Sequence, residues 1–333
     1  MVHDSIGWGL LGTGGICSAM AQALAHVPGA RLAAVGSRGL ERAQAFATAH
    51  AGAHADVAVH GSYQALVDDP AVQVVYVGTP HPDHAASALL ALRAGKAVLC
   101  EKPFTLNAAQ AQAVVAEARA RRLFLMEAMW TRFVPAVAEV ARLVRSGAIG
   151  EPLSVQADFG FDASAFAPGH RVLDPQLGGG ALLDVGIYPL ALASFLMGPI
   201  SAVQAQAQLA PTGVDVHTTF SLQHRSGALS QGLCSLRSTT PWRALVLGSA
   251  GRIELHTPFF HAERFLLVRH GDAQQEHHLP HTGNGYAHQV EEVQRCLRAG
   301  LTESPVMPLD ETLALMGWMD EMRAQIGLRY PGE

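Results

Sequence analysis

Lys96-Ala-Val-Leu-Cys-Glu101-Lys102-Pro103 is an apolar run of strand length that stops abruptly at an acid, a base and a proline. Such a run reads as a buried strand, and in an open α/β sheet ligands bind at the carboxyl ends of strands. Lys102 therefore stands at the edge of a candidate site, provided that other segments converge there. A lone lysine capping a strand would carry no such meaning.

Upstream, Ile6–Leu11 reads as a strand running directly into Gly12-Thr13-Gly14-Gly15-Ile16-Cys17, and Ser18–Val27 reads as a short amphipathic helix closed by Pro28-Gly29. A glycine turn between strand and helix lets the backbone approach a pyrophosphate while the helix N-terminus faces its charge. The third fingerprint position holds Cys17 rather than Gly or Ala, which predicts slightly looser helix packing. The second strand, residues 31–37, should end at the adenosine ribose of a dinucleotide. An NAD site uses an acid there, whereas this chain offers Ser37-Arg38, with Arg42 one turn on. A hydroxyl and a guanidinium suit a 2′-phosphate, so NADP is expected, with NAD also possible.

The alternation continues through a helix at 40–50, a strand at 57–60, a helix at 62–67 and a strand at 72–77, the rhythm of a parallel sheet. Thr79-Pro80-His81-Pro82 then ends the fourth strand at the same edge as Glu101, and residues 82–93 form a helix. His81 and His84 lack a carboxylate or cysteine partner, so no metal is expected; they line the cofactor groove or cap the helix. Beyond Pro103, Asn107 caps a helix over 108–121 with Gln110 at the reciprocal position, and Leu123–Glu127 is the sixth strand.

From residue 151 the period changes to two. Leu153, Val155, Ala157, Phe159 and Phe161 alternate with polar or small residues, and 202–209, 215–224, 228–237, 242–248, 252–256 and 264–270 also read as strands. Turns at 225–227, 249–251 and 271–272 join them into a mainly antiparallel sheet. Helices at 135–145, 181–197 and 286–299 can cover one face, leaving the other for a second subunit; the last helix, 309–326, reads as core packing. The fold class is α/β: a dinucleotide-binding Rossmann domain over 1–127 and an α/β domain with a large open sheet over 128–333.

At 333 residues the chain has room for two such domains, and a net charge of −5 without a basic cluster argues against nucleic acid. No uninterrupted apolar run reaches the ~18 residues of a membrane span. The opening Met1-Val-His-Asp-Ser-Ile6 lacks the pattern of a signal peptide, and the four scattered cysteines lack a Cys-x-x-Cys pair. A cytoplasmic protein is expected.

Gly178-Gly-Gly180-Ala-Leu-Leu-Asp184-Val-Gly-Ile-Tyr188 opens the helix that matters most. Asp184 and Tyr188 are four apart, on one face of a helix, and an acid and a phenol on an apolar helix are costly to bury without partners. They are read as site residues.

These motifs together resemble the glucose-fructose oxidoreductase, inositol dehydrogenase and MocA family (Gfo/Idh/MocA). Gly12-Thr-Gly-Gly-Ile16, Thr79-Pro-His-Pro-Asp-His84, Glu101-Lys-Pro103 and Gly178 to Tyr188 occur in that family's order over essentially the whole chain. Met126-Glu-Ala-Met-Trp-Thr-Arg-Phe133 is similar to its dimeric dihydrodiol dehydrogenase and NADP-dependent xylose dehydrogenase branch. The resemblance implies hydride transfer with NADP, Lys102 and Tyr188 at the reacting hydroxyl, Asp184 nearby, often a cis bond before Pro103, and often a dimer through the open sheet. Inositol dehydrogenases of the family carry His where this chain has Tyr188, which steers the expected substrate toward an aldose, oxidised at C1 as with D-xylose or D-glucose, or a trans-dihydrodiol.

Tyrosine titrates near ~10, so Tyr188 serves as a base at neutral pH only if a neighbouring cation favours its phenolate. Lys102 can supply that charge; the reverse assignment stays open. Trp130, Arg132, Phe159, Phe161, Arg171 and Phe259 are the candidate substrate pocket, aromatics to stack on a ring and arginines to hold hydroxyls. Two alternatives remain: a sugar-sugar oxidoreductase with tightly retained NADP, and a non-catalytic NADP-binding regulator, against which the set Lys102, Asp184 and Tyr188 argues.

Overall fold

The computed structural model describes residues 5–167, 169–331 and 333; Met1–Asp4, most of the stretch read for a signal peptide, lie outside the described residues. The chain divides into two compact units, residues 1–130 with 282–313, and 131–281 with 314–333.

The first unit carries β1 (Ile6–Leu11), α1 (Gly15–Leu24), β2 (Ala30–Gly36), α2 (Leu40–His50), β3 (Ala58–His60), α3 (Tyr63–Val67), β4 (Val74–Val77), α4 (His84–Arg93), β5 (Ala97–Glu101), α5 (Ala108–Arg121) and β6 (Leu125–Ala128). All its strand pairs are parallel, in the order β3-β2-β1-β4-β5-β6. Every residue of β1, β4, β5 and β6 is buried, as strands covered on both faces require. The strand order reverses between β1 and β4, so the loops after β1, β2, β4 and β5 gather at one sheet edge. Asn107 Oδ1 accepts from the Gln110 amide at 2.9 Å, and Gln110 Oε1 reaches back to the Leu106 amide at 3.3 Å. Caps of this kind are worth about 1 kcal/mol.

The second unit carries α6 (Pro135–Arg145), β7 (Pro152–Gly160), α7 (Ile187–Met197), β8 (Ile200–Leu209), β9 (Asp215–His224), β10 (Leu229–Ser235), β11 (Ala244–Gly248), β12 (Gly251–Leu255), β13 (Arg264–Arg269) and β14 (Gln275–His278). Its sheet runs β14-β13-β12-β11-β7-β10-β9-β8, antiparallel at every step except the parallel β7–β10 pair. The short β14 has no signal among the strands read from sequence. On the free edge of β8, the Gln325 side chain accepts from the Ala205 amide at 2.8 Å and donates to the Val203 carbonyl at 3.1 Å.

The helix expected at 286–299 is α8 (Ala287–Arg298), which packs on α1 in the first unit rather than on the second sheet. Asn284 Nδ2 donates to the Ala19 carbonyl at 2.8 Å beside it. The boundary drawn from sequence thus misses a return of the chain: residues 282–313 rejoin the first unit. The final helix, α9 (Leu309–Ile326), begins in that unit and continues in the second.

Among the described residues one segment, Pro175–Met197, is helical and long and apolar enough to cross a membrane by length and composition, although Asp184 interrupts it. Its most apolar window is 89% buried in the fold, and α7 is buried on nearly all sides, as befits a core helix.

Candidate active site

In the first unit, the loop after β1 turns at Gly12, whose φ of +114° suits glycine. A Cβ there would also lie 2.8 Å from the Gly78 carbonyl oxygen at the end of β4. Among the described residues nothing lies within 4 Å of where a Cβ of Gly14 or Gly15 would stand, and none caps the first turn of α1 with its side chain. The backbone amides are thus accessible at a positive helix end, as a pyrophosphate requires. Thr13 and Ile16 flank them, half-buried. Cys17 is fully buried and points its thiol at the carbonyls of Leu11 and Gly78, 3.7 and 3.6 Å away. Gly78 accommodates it, since a Cβ there would lie 2.5 Å from the sulfur. Burial, aided by the charge of Glu101, pushes the Cys17 thiol up to about 12, so it stays protonated.

At the end of β2, Ser37 is buried, its amide donating to the His60 carbonyl at 3.1 Å, while Arg38 and Arg42 are exposed. Arg38 Nη1 lies 3.8 Å from Asp83 Oδ2. Thr79 is buried with its hydroxyl 3.5 Å from that of Ser87, Pro80 is exposed, and His81 is half-buried, its ring 5.6 Å from that of His84. His84 is fully buried, with Nδ1 at 2.9 Å from the Pro103 carbonyl and Nε2 at 2.9 Å from that of Thr79. It ties the end of β4 to the turn after β5 instead of lining a groove. Burial lowers its pKa, and the two carbonyls pull it back up. Among the described residues no group of three or more His, Cys, Asp or Glu can hold a metal ion.

The Lys102-Pro103 bond is cis. Glu101, at the end of β5, is buried; its Oε1 accepts from the Tyr76 hydroxyl at 2.6 Å and its Oε2 from the Lys102 amide at 3.2 Å. Burial raises its pKa to about 7, against the pull of Tyr76 and of the Lys102 charge. Lys102 itself is half-buried. Trp130 stacks on Tyr286, which no motif singles out, with ring centroids 4.4 Å apart.

In the second unit, Leu182–Gly186 winds as a π-helical turn that runs into α7. Pro189 has no N–H to return toward the preceding turn, and wide turns of this kind recur at functional sites. Asp184 and Tyr188 are buried, 5% and 6% exposed. Arg171 reaches from a 3₁₀ turn so that its Nη1 donates to Asp184 Oδ1 at 2.9 Å. Around Tyr188 stand Phe159, with ring centroids 5.2 Å apart, and Phe260, at 5.5 Å; these two stack on one another at 4.2 Å and 7°. Trp242, 5.8 Å from Phe159, extends the wall, held by its indole N–H on the Gly160 carbonyl at 2.6 Å and its amide on Asp158 at 2.7 Å.

Other pocket candidates lie elsewhere. Arg132 is 2% exposed, donates to the Ala191 carbonyl at 3.2 Å and sits over the Phe195 ring at 4.8 Å, so it braces α7 rather than offering its charge to a ligand. Phe259 is fully buried, and its neighbour Phe260 is the ring of the wall. Phe161 is half-buried, 6.0 Å from Phe166. The alternating pattern of its strand signals Phe159; Trp242, read as the first residue of a strand at 242–248, lies just before β11, and Phe260 sits outside strands and carries no periodic signal.

Residues 6–129 match the model of an oxidoreductase family with an NAD-binding Rossmann fold, and residues 137–254 match that of the GFO/IDH/MocA C-terminal domain. The chain is 38% identical to the trans-1,2-dihydrobenzene-1,2-diol dehydrogenases of Bos taurus and of Homo sapiens, in each case over 97% of this chain and 98% of the relative. Among solved structures it resembles a 3-ketoreductase from Actinomadura kijaniata in complex with NADP (TM-score 0.84, 27% identity, 97% and 98% of the two chains). It also resembles an aldose-aldose oxidoreductase from Caulobacter crescentus (TM-score 0.87, 26% identity, 96% and 97%). With both of its units matched and relatives of this identity spanning nearly its whole length, the chain belongs to the Gfo/Idh/MocA family of NAD(P)-dependent oxidoreductases, on its dihydrodiol dehydrogenase branch.

Proposed function

We propose that the chain is an NADP-dependent dehydrogenase that interconverts CH–OH and C=O in a trans-dihydrodiol or at C1 of an aldose. The observation that carries this reading is the Tyr188 phenol set against the stacked rings of Phe159 and Phe260 and one helical turn from the buried Asp184. A flat apolar wall beside a proton-transfer group suits a ring carrying hydroxyls, and the named activity of the relatives agrees with it.

The dinucleotide, when bound, accepts or returns the hydride. Gly12, Thr13, Gly14, Gly15 and Ile16 would cradle its pyrophosphate, Ser37, Arg38 and Arg42 its 2′-phosphate, and Thr79, Pro80 and His81 would border it; Glu101 and His84 support the turn that carries Lys102. Tyr188 takes the hydroxyl proton in oxidation and returns it in reduction, and the charge of Lys102 favours the phenolate that this needs. Asp184, paired with Arg171, orients the hydroxyl. Tyr188→Phe and Lys102→Met should each lower kcat by at least ~100-fold with NADP affinity nearly unchanged.

The deciding assay is NADPH formation by the purified protein with NADP and a panel of D-xylose, D-glucose, inositols and a trans-dihydrodiol. Silence across the panel by protein shown to bind NADP would overturn the reading. The likeness to an aldose-aldose oxidoreductase favours a second reading, hydride passed between two sugars; NADP retained through purification would support it.

Assembly and location follow as further parts of the proposal. Gln156, Asp158, Gln204, Gln231, Arg252 and Glu254 line a broad depression on the sheet of the second unit, suited to a second copy of the chain in a homodimer; a monomer in light scattering would exclude it. The four cysteines are buried free thiols, fitting the cytoplasm; a green fluorescent fusion found outside it would count against this location.

A further inference from the structure

Behind the helix of Asp184 and Tyr188 lies a buried acid that the proposed reaction does not use. Asp215, the first residue of β9, is fully buried; its Oδ2 accepts from the Leu182 amide at 2.8 Å and from the Thr218 hydroxyl at 2.6 Å, and its Oδ1 has no hydrogen-bond partner among the described residues. Leu182 is the first residue of the π-helical turn, two before Asp184. Gly180, with φ of +117°, leaves room for Oδ1, because a Cβ there would collide with it. From the C-terminal tail, Tyr330 donates its hydroxyl to the Gly179 carbonyl at 2.5 Å. Tyr330 is itself fixed under the Arg323 guanidinium, 5.0 Å from its ring, and Arg323 is paired with Glu333 at 2.7 Å and Asp320 at 2.6 Å.

We propose that Asp215, aided by Tyr330, is a positioning residue for the reaction: its carboxylate holds the start of the helix through the Leu182 amide and thereby sets where Asp184 and Tyr188 stand. This rests on the reading of those two as the groups that meet substrate. An anion at a helix N-terminus is favoured by the helix dipole, and its hydrogen bonds are stronger than those of a neutral group. The titratable and charged groups facing Asp215 are Arg323 of α9, Cys234 of β10 and Tyr330 of the tail, with Asp184 acting on Tyr330 from the helix. Burial raises the acid to about 6, against Thr218, Leu182 and Arg323. The grip on Leu182 is therefore charged at neutral pH and weakens as the pH falls below that value, because a neutral carboxyl accepts less strongly than a carboxylate.

The test is kcat against pH for the whole enzyme, with NADP binding measured separately by fluorescence. Wild-type kcat should fall below about pH 6, and Asp215→Asn should show no such limb and at neutral pH should hold roughly a tenth of the wild-type kcat, with the Kd for NADP within twofold. Wild-type kcat and an unchanged acid limb in Asp215→Asn would overturn the inference. Should that variant fail to fold, Tyr330→Phe decides: a kcat at least threefold lower with unchanged NADP binding supports it, and an unchanged kcat overturns it. Tyr188→Phe, run alongside, separates the two claims, because an active Tyr188→Phe removes the catalytic reading itself, whatever Asp215 does.

Discussion

The Tyr76 hydroxyl donates to Glu101 Oε1 at 2.6 Å, so that one acid in the strand preceding Lys102 is held by a phenol from the neighbouring strand. Burial nevertheless dominates and raises Glu101 from 4.5 to about 7. A carboxyl raised in the folded state stabilises the fold fully below its unfolded pKa and loses that contribution as the pH rises through the folded one. Between pH 4.5 and 7 the wild type should therefore lose on the order of 3 kcal/mol relative to Glu101→Gln, at 1.36 kcal/mol per unit. Urea unfolding of both proteins at the two pH values measures it; parallel behaviour would remove the argument.

Cofactor preference turns on Arg38. Its contact with Asp83 is long, at 3.8 Å, between side chains 67% and 43% exposed. Such pairs are worth at most about 1 kcal/mol, so a phosphate dianion outcompetes the carboxylate. Arg38→Leu should raise the KM for NADP at least ~10-fold and leave that for NAD little changed, while Asp83→Asn should shift NADP affinity by less than ~5-fold. Steady-state kinetics with both nucleotides distinguish these outcomes.

The close fit of Cys17 against Gly78 predicts a coupled pair. Gly78→Ala places a Cβ 2.5 Å from the sulfur and should cost about 1–3 kcal/mol. In a Cys17→Ala background most of that cost should vanish, the remainder coming from the Tyr76 ring at 3.0 Å. Thermal melts of the four proteins in a double-mutant cycle give the coupling; simple additivity would contradict the packing argument.

Arg171 is 52% exposed, yet its partner Asp184 is 7% exposed at the side chain. Arg171→Ala should lower kcat/KM by about 10-fold, since truncating one member of such a pair leaves a buried charge less compensated. Arg171→Lys should recover part of it, and a variant with wild-type kcat/KM would show that the pair has no part in the reaction.

Much of this was readable in the chain. Strands buried on both faces announce themselves as continuous apolar runs, as Val74–Val77 does, and the glycine turn at 12–15 is legible because only a few residue types permit it. The wall around Tyr188 is half legible: Phe159 lies in an alternating strand, whereas Phe260 sits in a 3₁₀ turn where neighbouring residues have no fixed facing, so that the sequence does not separate it from Phe259. Arg132 misled for a different reason, because arginine is seldom fully buried and so reads as a ligand group. The placement of α8 could not be read at all, since an amphipathic helix declares that it has an apolar face but not which surface covers it.

At β8 the side-chain amide of Gln325 does the work of an absent strand, offering an acceptor to Ala205 and a donor to Val203. An unpaired strand edge is a template on which other chains can assemble. Shortening the last turn of α9 would therefore uncover a sticky border, and its first sign in solution would be slow, concentration-dependent aggregation rather than loss of the fold.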